Sequence, residues 1–129
     1  MNLFTIEMKD EPGELAHLCE TVAPHHVNLM MAGVTTANHG TMCVCTDDDA
    51  TVRTALEGAG IDFTERPALR LRCPDQPGEA ARIARKLANA DVNIQALLPI
   101  MICQGEVELA LSVDKTDEAM TALGNQVMR

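Results

Sequence analysis

Apolar and polar residues follow one another along the chain in short runs, and the spacing within these runs predicts strands that alternate with helices. Residues 3–8 and 68–73 alternate or stay apolar over six positions each, which is typical of strands, and both runs stop just before an Asp-x-Pro-Gly sequence. Because the same order of signals occurs twice, we predict that these runs are the first strands of two successive units.

An internal repeat supports this division. Residues 10–29 align with residues 75–94 without a gap, at a constant offset of 65 positions, and share an aspartate, a Pro-Gly-Glu sequence and a later Val-Asn pair. Gly40 and Gly105 are also 65 positions apart, so we expect the same register to persist through the next turn. A signal that recurs in both copies carries more weight than either copy alone.

An amphipathic helix is predicted after the first strand of each copy. Pro12 and Pro77 suit the first turn of a helix, where no backbone N–H is needed, and Asp10 and Asp75 are placed to cap that turn. Apolar residues then recur at helical spacing. The predicted buried faces consist of Leu15, Leu18, Cys19 and Val22 in the first copy, and of Ala80, Ile83, Ala84 and Leu87 in the second.

A hairpin and a second helix follow in each copy. β-Rich stretches lead into glycine-containing turns and further apolar runs, and aspartates then mark a helix start. In the first copy these are residues 27–36, 38–40, 41–46 and 47–49, with Gly58 and Gly60 ending the helix and a fourth strand at 61–65; in the second they are residues 92–103, 104–105, 106–113 and 114–117.

The last strand of the second copy is predicted to be short or missing. By the same offset it would begin near residue 126, and the sequence given ends at residue 129. An uncovered strand edge invites pairing, so we expect the other unit or a second chain to cover it.

The predicted fold class is therefore α+β. Two βαββαβ units of the ferredoxin-like kind stand in tandem, each with an antiparallel sheet and two helices on one face. The predicted domains are residues 1–65 and residues 66–129.

Charge and composition narrow the classes of partner. The net charge of −9 falls entirely within residues 1–65, and the chain has two Phe, no Trp and no Tyr. Such a chain is poorly suited to nucleic acid or to an anionic membrane surface. Five cysteines, an odd number without CxxC spacing, and no signal-peptide pattern lead us to expect reduced thiols and a cytoplasmic location.

The Asp-x-Pro-Gly-Glu and Val-Asn-Leu or Val-Asn-Ile sequences, each present twice within βαββαβ units, resemble the ACT domain family. The whole chain looks like a tandem ACT protein. The resemblance implies a regulatory role, with an amino acid or similar small metabolite bound at interfaces between paired units, assembly into a homodimer or higher homo-oligomer, and an enzyme regulated in trans. It implies no cofactor.

A candidate ligand site also follows from the chemistry of a helix start. Free N–H groups and a partial positive charge suit a carboxylate, a glycine allows close approach, and carboxylate or amide oxygens suit an ammonium group. We expect the start of the second strand to lie near the first loop. The candidate residues are Asp10, Glu11, Gly13, Asn28 and Leu29 in the first copy, and Asp75, Gln76, Gly78, Asn93 and Ile94 in the second.

Other interpretations remain open for these residues. Asp-x-Pro-Gly is also simply a good strand-to-helix turn. Glu11 stands where the second copy has Gln76, and its negative charge makes the first copy a weaker binding site for a carboxylate. A structural or adaptor protein that assembles through its sheets without a ligand is the main alternative for the whole chain.

Metal binding and catalysis are less favoured. Histidines and cysteines cluster in the first copy, but Cys-x-Cys with scattered histidines is not an established zinc spacing, and buried thiols are the simpler interpretation of Cys43 and Cys45. Motifs of hydrolases, P-loops and dinucleotide sites do not occur in the sequence. We therefore expect neither a metal site nor an enzyme.

Overall fold

The structure of the chain is a computed structural model that describes residues 1–128. The chain divides into two compact units, Met1–Arg66 and Pro67–Arg129. Residue 129, the end of the predicted second domain, lies outside the described residues. Each unit combines an antiparallel sheet with two α-helices, so the predicted α+β fold class is confirmed.

The first unit has a four-stranded sheet in the order β2-β3-β1-β4. Its apolar core joins Phe4 and Ile6 of the sheet to Leu18 and Leu56, which come from different helices, so both helices lie on the same face of the sheet. Its elements are β1 Asn2–Lys9, α1 Glu14–Val22, β2 Met30–Thr36, β3 His39–Cys45, α2 Asp49–Gly58 and β4 Thr64–Pro67.

The second unit has a three-stranded sheet in the order β5-β7-β6. Leu71 and Leu111 of the sheet pack with Ile83, Leu87 and Leu123 of the two helices. Its elements are β5 Leu69–Pro74, α3 Glu79–Asn89, β6 Ile94–Cys103, β7 Glu106–Val113 and α4 Thr116–Leu123.

Among the described residues, the last strand predicted to be short or missing in the second unit is reduced to an isolated bridge at the outer edge of β5. Val127 forms an isolated antiparallel bridge with Leu71, and the N–H of Met128 donates to the carbonyl of Arg70 at 2.7 Å. In the first unit the matching position beside β1 is held by β4, which is four residues long.

The expectation that the offset of 65 persists through the next turn is wrong. The β2–β3 turn begins at Ala37 and the β6–β7 turn at Gln104, both with positive φ, so the offset there is 67 and Gly105 does not correspond to Gly40. Two residues of β6, Gln95 and Ile100, are skipped in the pairing with β7. Each forms a bulge, and together they absorb the two additional positions.

The Pro-Gly sequences form turns that precede the helices. The N–H of Glu14 donates to the carbonyl of Glu11 at 3.4 Å, and Gly13 has φ 90° and ψ −12°, which is the third position of a type II turn with Pro12 at the second. Gly78 repeats this geometry. The helices therefore begin after the glycines, and no side chain caps them, so the predicted caps Asp10 and Asp75 are wrong.

The buried stripes of α1 and α3 are narrower than predicted. Leu18 and Val22 are buried in α1 and Ile83 and Leu87 in α3, one turn apart in each case. Leu15 is 46% exposed. Ala80 and Ala84 are also exposed.

Carboxylates lie in the first turn of the second helix in both units, Asp49 in α2 and Asp117 and Glu118 in α4, but a carboxylate caps the helix in the first unit only. Asp48 caps α2, since its Oδ1 accepts from the N–H of Thr51 at 3.1 Å. In the second unit Lys115 is the residue before α4, and Asp114 accepts instead from the N–H of Asn93 at 2.8 Å. The fourth strand begins at Thr64, later than predicted.

Candidate functional site

An open cleft of about 400 Å³ lies beside the β1–α1 turn of the first unit. We call it the turn cleft. Three parts of the unit form it: the end of β1 with the loop that follows, the first turn of α1, and the middle of the β2–β3 hairpin. The residues that line it are Met8, Lys9, Asp10, Glu11, Glu14, Leu15, Gly33, Val34, Thr35, Gly40, Thr41 and Met42.

Gly33 makes room for the floor of the turn cleft. It pairs with Met42 across β2 and β3, and a Cβ atom at residue 33 would lie 2.5 Å from the Met42 methyl carbon and 2.9 Å from its sulfur. A side chain there would have to displace the end of Met42. The end of the Met42 side chain therefore lies over Gly33 of β2. Its flexible thioether can change conformation at the floor of the cleft.

Both signs of charge meet in the turn cleft. Lys9 lines it together with the acidic residues Asp10, Glu11 and Glu14. The N–H group of Leu15, which also lines the cleft, belongs to the first turn of α1 and has no acceptor within the helix, so an anionic group can accept from it. The cleft thus offers donors for a carboxylate and acceptors for an ammonium group.

The structure separates the candidate residues of the first unit. Asp10 and Glu11 line the turn cleft, and Gly13 shapes the turn beside it. Asn28 and Leu29 precede β2 and lie at the opposite end of the sheet, because Lys9 pairs with His39 whereas Met30 pairs with Cys45 beside Leu3. Six residues of strand, about 20 Å, separate the two ends, so the expected proximity of strand two to the first loop is wrong.

The candidate residues of the second unit are separated in the same way. The N–H of Asp75 donates to the carbonyl of Gly105 at 2.8 Å, which ties the loop containing Gln76 and Gly78 to the β6–β7 turn. Asn93 adjoins Ile94, where β6 begins, and is held by Asp114. It lines a separate depression of about 300 Å³ together with Asp91, Asp114 and Lys115.

Sequence reasoning missed much of the turn cleft. Lys9, Gly33, Thr35, Thr41 and Met42 line it and were not candidates. One signal was available, because a glycine inside a β-rich run marks a bulge or a close approach of another group. The remaining residues line the cleft because of the register in which the strands pair, and a sequence pattern does not specify that register.

Of the two thiols of β3, which were expected to be buried, Cys45 is buried and Cys43 is partly exposed. Cys45 is fully buried, and burial, with a smaller effect of Cys43, raises the pKa of its thiol to about 11. A protonated, enclosed thiol is a poor metal ligand or nucleophile. Among residues 1–128, no three histidine, cysteine or acidic side chains are grouped so that they could hold a metal ion.

No helix within the described part of the chain is long and apolar enough to cross a membrane.

Comparison with solved structures places the fold. A protein from Bacteroides thetaiotaomicron, BT0572, matches 98% of this chain and 90% of its own, with a TM-score of 0.85 and 17% identity. The regulatory subunit of aspartate kinase from Thermus thermophilus, in its ligand-free form, matches 97% of this chain and 90% of its own, with a TM-score of 0.68 and 16% identity. The chain shares with them the tandem ferredoxin-like fold that its resemblance to ACT domains implies.

Sequence comparison gives a shorter match to the same kind of protein. An aspartokinase from Corynebacterium efficiens is 38% identical over 60 residues, which is 46% of this chain and 14% of that relative. No family model matches the sequence. Regulatory subunits of aspartate kinase thus share this fold with the chain over nearly its whole length.

Proposed function

We propose that the chain is a regulatory protein that binds an amino acid in the turn cleft of its first unit and acts on an enzyme in trans rather than by catalysis of its own. The observation that carries this proposal is the meeting of donors and acceptors in one open cleft beside a helix start. A regulatory subunit of aspartate kinase with the same fold supports the regulatory part of the proposal.

The two charged groups of an amino acid would occupy different sides of the turn cleft. Its carboxylate would accept from the ammonium group of Lys9 and from the N–H group of Leu15 at the start of α1. Its ammonium group would donate to Asp10 or Glu11. The apolar parts of Leu15 and Met42 remain for the ligand side chain, and Leu15 is available because it is not part of the core.

Assembly belongs to the same proposal. β2 is an edge strand, and six of its seven residues are exposed, with Val34 exposed by 66%. A second chain that pairs with this edge would also border the turn cleft, since Val34 and Thr35 line it. Binding and self-association would then be coupled.

The odd number of cysteines without CxxC spacing supports a cytoplasmic location.

The exposed strand edges favour one alternative. On β6, Met101 is exposed by 50% and Ile102 by 66%, so edge strands of both units present apolar residues. An adaptor that assembles through its sheets without a metabolite has the same property. Only a ligand response distinguishes the two functions.

Thermal melting of the full chain against each proteinogenic amino acid tests the proposal. We expect at least one to raise the melting temperature in a concentration-dependent manner. Lys9→Gln should weaken that ligand about tenfold, because it removes a charged hydrogen-bond donor to the carboxylate. Lys86→Gln on the exposed side of α3 is the matched control for the charge change and should leave the affinity unaltered.

Two results would contradict this assignment. If no amino acid shifts the melting temperature, the adaptor function is favoured. If a ligand binds but Lys9→Gln and Lys86→Gln weaken it equally, the site lies outside the turn cleft.

A further inference from the structure

A second cleft, of about 410 Å³, lies on the other side of the first turn of α1. We call it the edge cleft, because residues 5–8 of β1 form one wall at the strand edge that faces away from β3. Residues 61–64, which lead into β4, form the opposite wall, and Glu14, His17 and Leu18 of α1 complete it. Glu14 and Met8 are shared with the turn cleft.

The edge cleft exists because β4 is too short to cover β1. β1 has eight residues and pairs with β3 from Leu3 to Lys9, whereas β4 has four. Ile61 and Phe63 pack against the core before β4 begins, and the ring of Phe63 lies 5.6 Å from that of Phe4. The cleft therefore has an apolar wall as well as polar groups.

In the second unit, the glutamate at the same helix position binds an arginine of the chain itself. Glu79 corresponds to Glu14, and Arg82 to His17, within the ungapped part of the repeat. The guanidinium of Arg82 forms an ion pair with Glu79, with Nε at 3.1 Å from Oε1 and 3.2 Å from Oε2. The amide of Gln126 also donates to this carboxylate, at 3.4 Å.

This ion pair alters the properties of Glu79. The hydrogen bond from Arg82 is the main cause that lowers the pKa of its carboxyl, and its side chain is only 11% exposed. The carboxylate at this helix position is thus charged, largely covered and bound to a guanidinium in the second unit.

The first unit has the carboxylate without the cation. His17 replaces the arginine, and an imidazole is shorter than that side chain and lacks its permanent charge. Among the described residues, neither Glu14 nor Asp62 takes part in an ion pair. Glu7 does not contribute its carboxylate, because it contacts His39 and accepts from Thr41 on β3.

We propose that the edge cleft binds a small organic cation that carries a guanidinium group on a short apolar chain. The guanidinium takes the place beside Glu14 that Arg82 holds beside Glu79, with Asp62 as a further acceptor. The apolar chain lies against Leu18 and Phe63. The volume of the cleft suits a ligand of this size, and its two carboxylates favour a cation over an amino-acid carboxylate.

Calorimetric titration of the full chain with butylguanidinium tests this proposal, with tetramethylammonium as a cation that cannot donate hydrogen bonds. We expect one saturable site for butylguanidinium and none for tetramethylammonium. Glu14→Gln and Asp62→Asn should each weaken binding, by about tenfold for Glu14→Gln, because a charged hydrogen bond is lost. Glu20→Gln, an exposed acid on the same helix, is the matched control.

His17→Arg provides an independent test, because it supplies the cation from within the chain. We expect this variant to lose butylguanidinium binding and to melt at a higher temperature than the unaltered chain. Loss of binding in Glu14→Gln with full binding in His17→Arg would overturn the proposed position of the guanidinium. Absence of binding to the unaltered chain at millimolar probe, or equal loss in Glu20→Gln, would overturn the site.

The titration contains no amino acid, so it is independent of the turn cleft function. Asp62 lines only the edge cleft, and Lys9 lines only the turn cleft. A chain that fails to respond to amino acids but binds butylguanidinium in an Asp62-dependent manner would contradict the proposed function and support this site.

Discussion

Gly13 and Gly78 each hold a backbone conformation that other residues rarely adopt. Both have φ 90°, and nothing lies within 4 Å of the position of an added Cβ atom at either residue. Any effect of a side chain there would come from the backbone and not from crowding. The turn that places the first helix of each unit therefore depends on conformational freedom alone.

A pair of substitutions distinguishes an effect of backbone conformation from an effect of crowding. Gly78→Ala should lower the free energy of unfolding by about 1 kcal/mol or more, because alanine is strained at positive φ. Gly58→Ala also meets open space, but Gly58 ends α2 in a helical conformation, so this substitution should raise stability by about 0.5 kcal/mol. Urea unfolding measures both. Equal effects of the two substitutions would show that φ is not the determining factor.

Single residues also decide how the two units differ. Glu14 and Glu79 are the same residue at the same helix position, yet one lines two clefts and the other is bound by an arginine. The difference comes from the residue one turn later. A sequence alignment shows that substitution, but the resulting cavity is visible only in the structure.

At the scale of elements, β5 and β7 are joined by an ion-pair network across the strands. Glu108 binds Arg70 at 2.6 Å and Arg72 at 3.0 Å, and the exposed fraction of its side chain is 9%. The hydrogen bond from Arg72, followed by that from Arg70, lowers the pKa of the Glu108 carboxyl. The network adds side-chain contacts to the backbone pairing of β5 with β7.

This lowered pKa makes a pH dependence measurable. Because the folded pKa lies below the ordinary value of 4.5, the stabilisation is present above that value and is lost as the pH falls through the folded pKa. We expect the unfolding free energy to decrease on acidification below about pH 4.5. Glu108→Gln should lower stability at neutral pH and flatten the acid decrease. An acid profile identical to that of the unaltered chain would contradict this role of the network.

The sequence predicted the elements well where the repeat is ungapped. The first strands, the helices after the Pro-Gly turns and the hairpins all lie close to their predicted positions. The register of β6 was not predictable, because Gln95 and Ile100 are ordinary strand residues and a bulge depends on pairing with β7. The Asp10 and Asp75 caps failed because a type II turn occupies the residues before each helix.

The candidate site was predicted in part, for the same reason. Asp10 and Glu11 adjoin a helix start, which is a local feature of the sequence, and both line the turn cleft. Asn28 was placed beside them by an assumption about strand direction that the register contradicts. Lys9 and Gly33 line the cleft through strand pairing, since each pairs with β3, at His39 and at Met42, and that long-range information is absent from a local pattern.

At the scale of the whole molecule, the two units have unequal charge. Residues 1–65 carry the entire net charge of −9, and the remaining residues are balanced. The clefts described above lie in this acidic part of the chain. Accumulated negative charge favours cationic ligands and opposes the approach of another acidic surface.

Self-association through β2 should respond to one added charge at its exposed edge. Val34→Lys should weaken any homodimer about tenfold, because lysine on an edge strand opposes further pairing. Ala16→Lys, on the exposed side of α1, adds the same charge elsewhere and serves as the control. Light scattering over a range of concentrations measures the association. If the dimer persists in Val34→Lys, assembly uses another surface.

The bulges of β6 also bear on how this strand came to be longer than β2, its counterpart in the first unit. Residues on both sides of Gln95 and Ile100 keep uninterrupted partners on β7, so each bulge confines one additional residue to a single point of the strand. A gene that gained or lost those codons would still encode the same ladder of cross-strand pairs. After an ancestral duplication, one copy could therefore lengthen a strand by single-codon steps without passing through a misfolded intermediate.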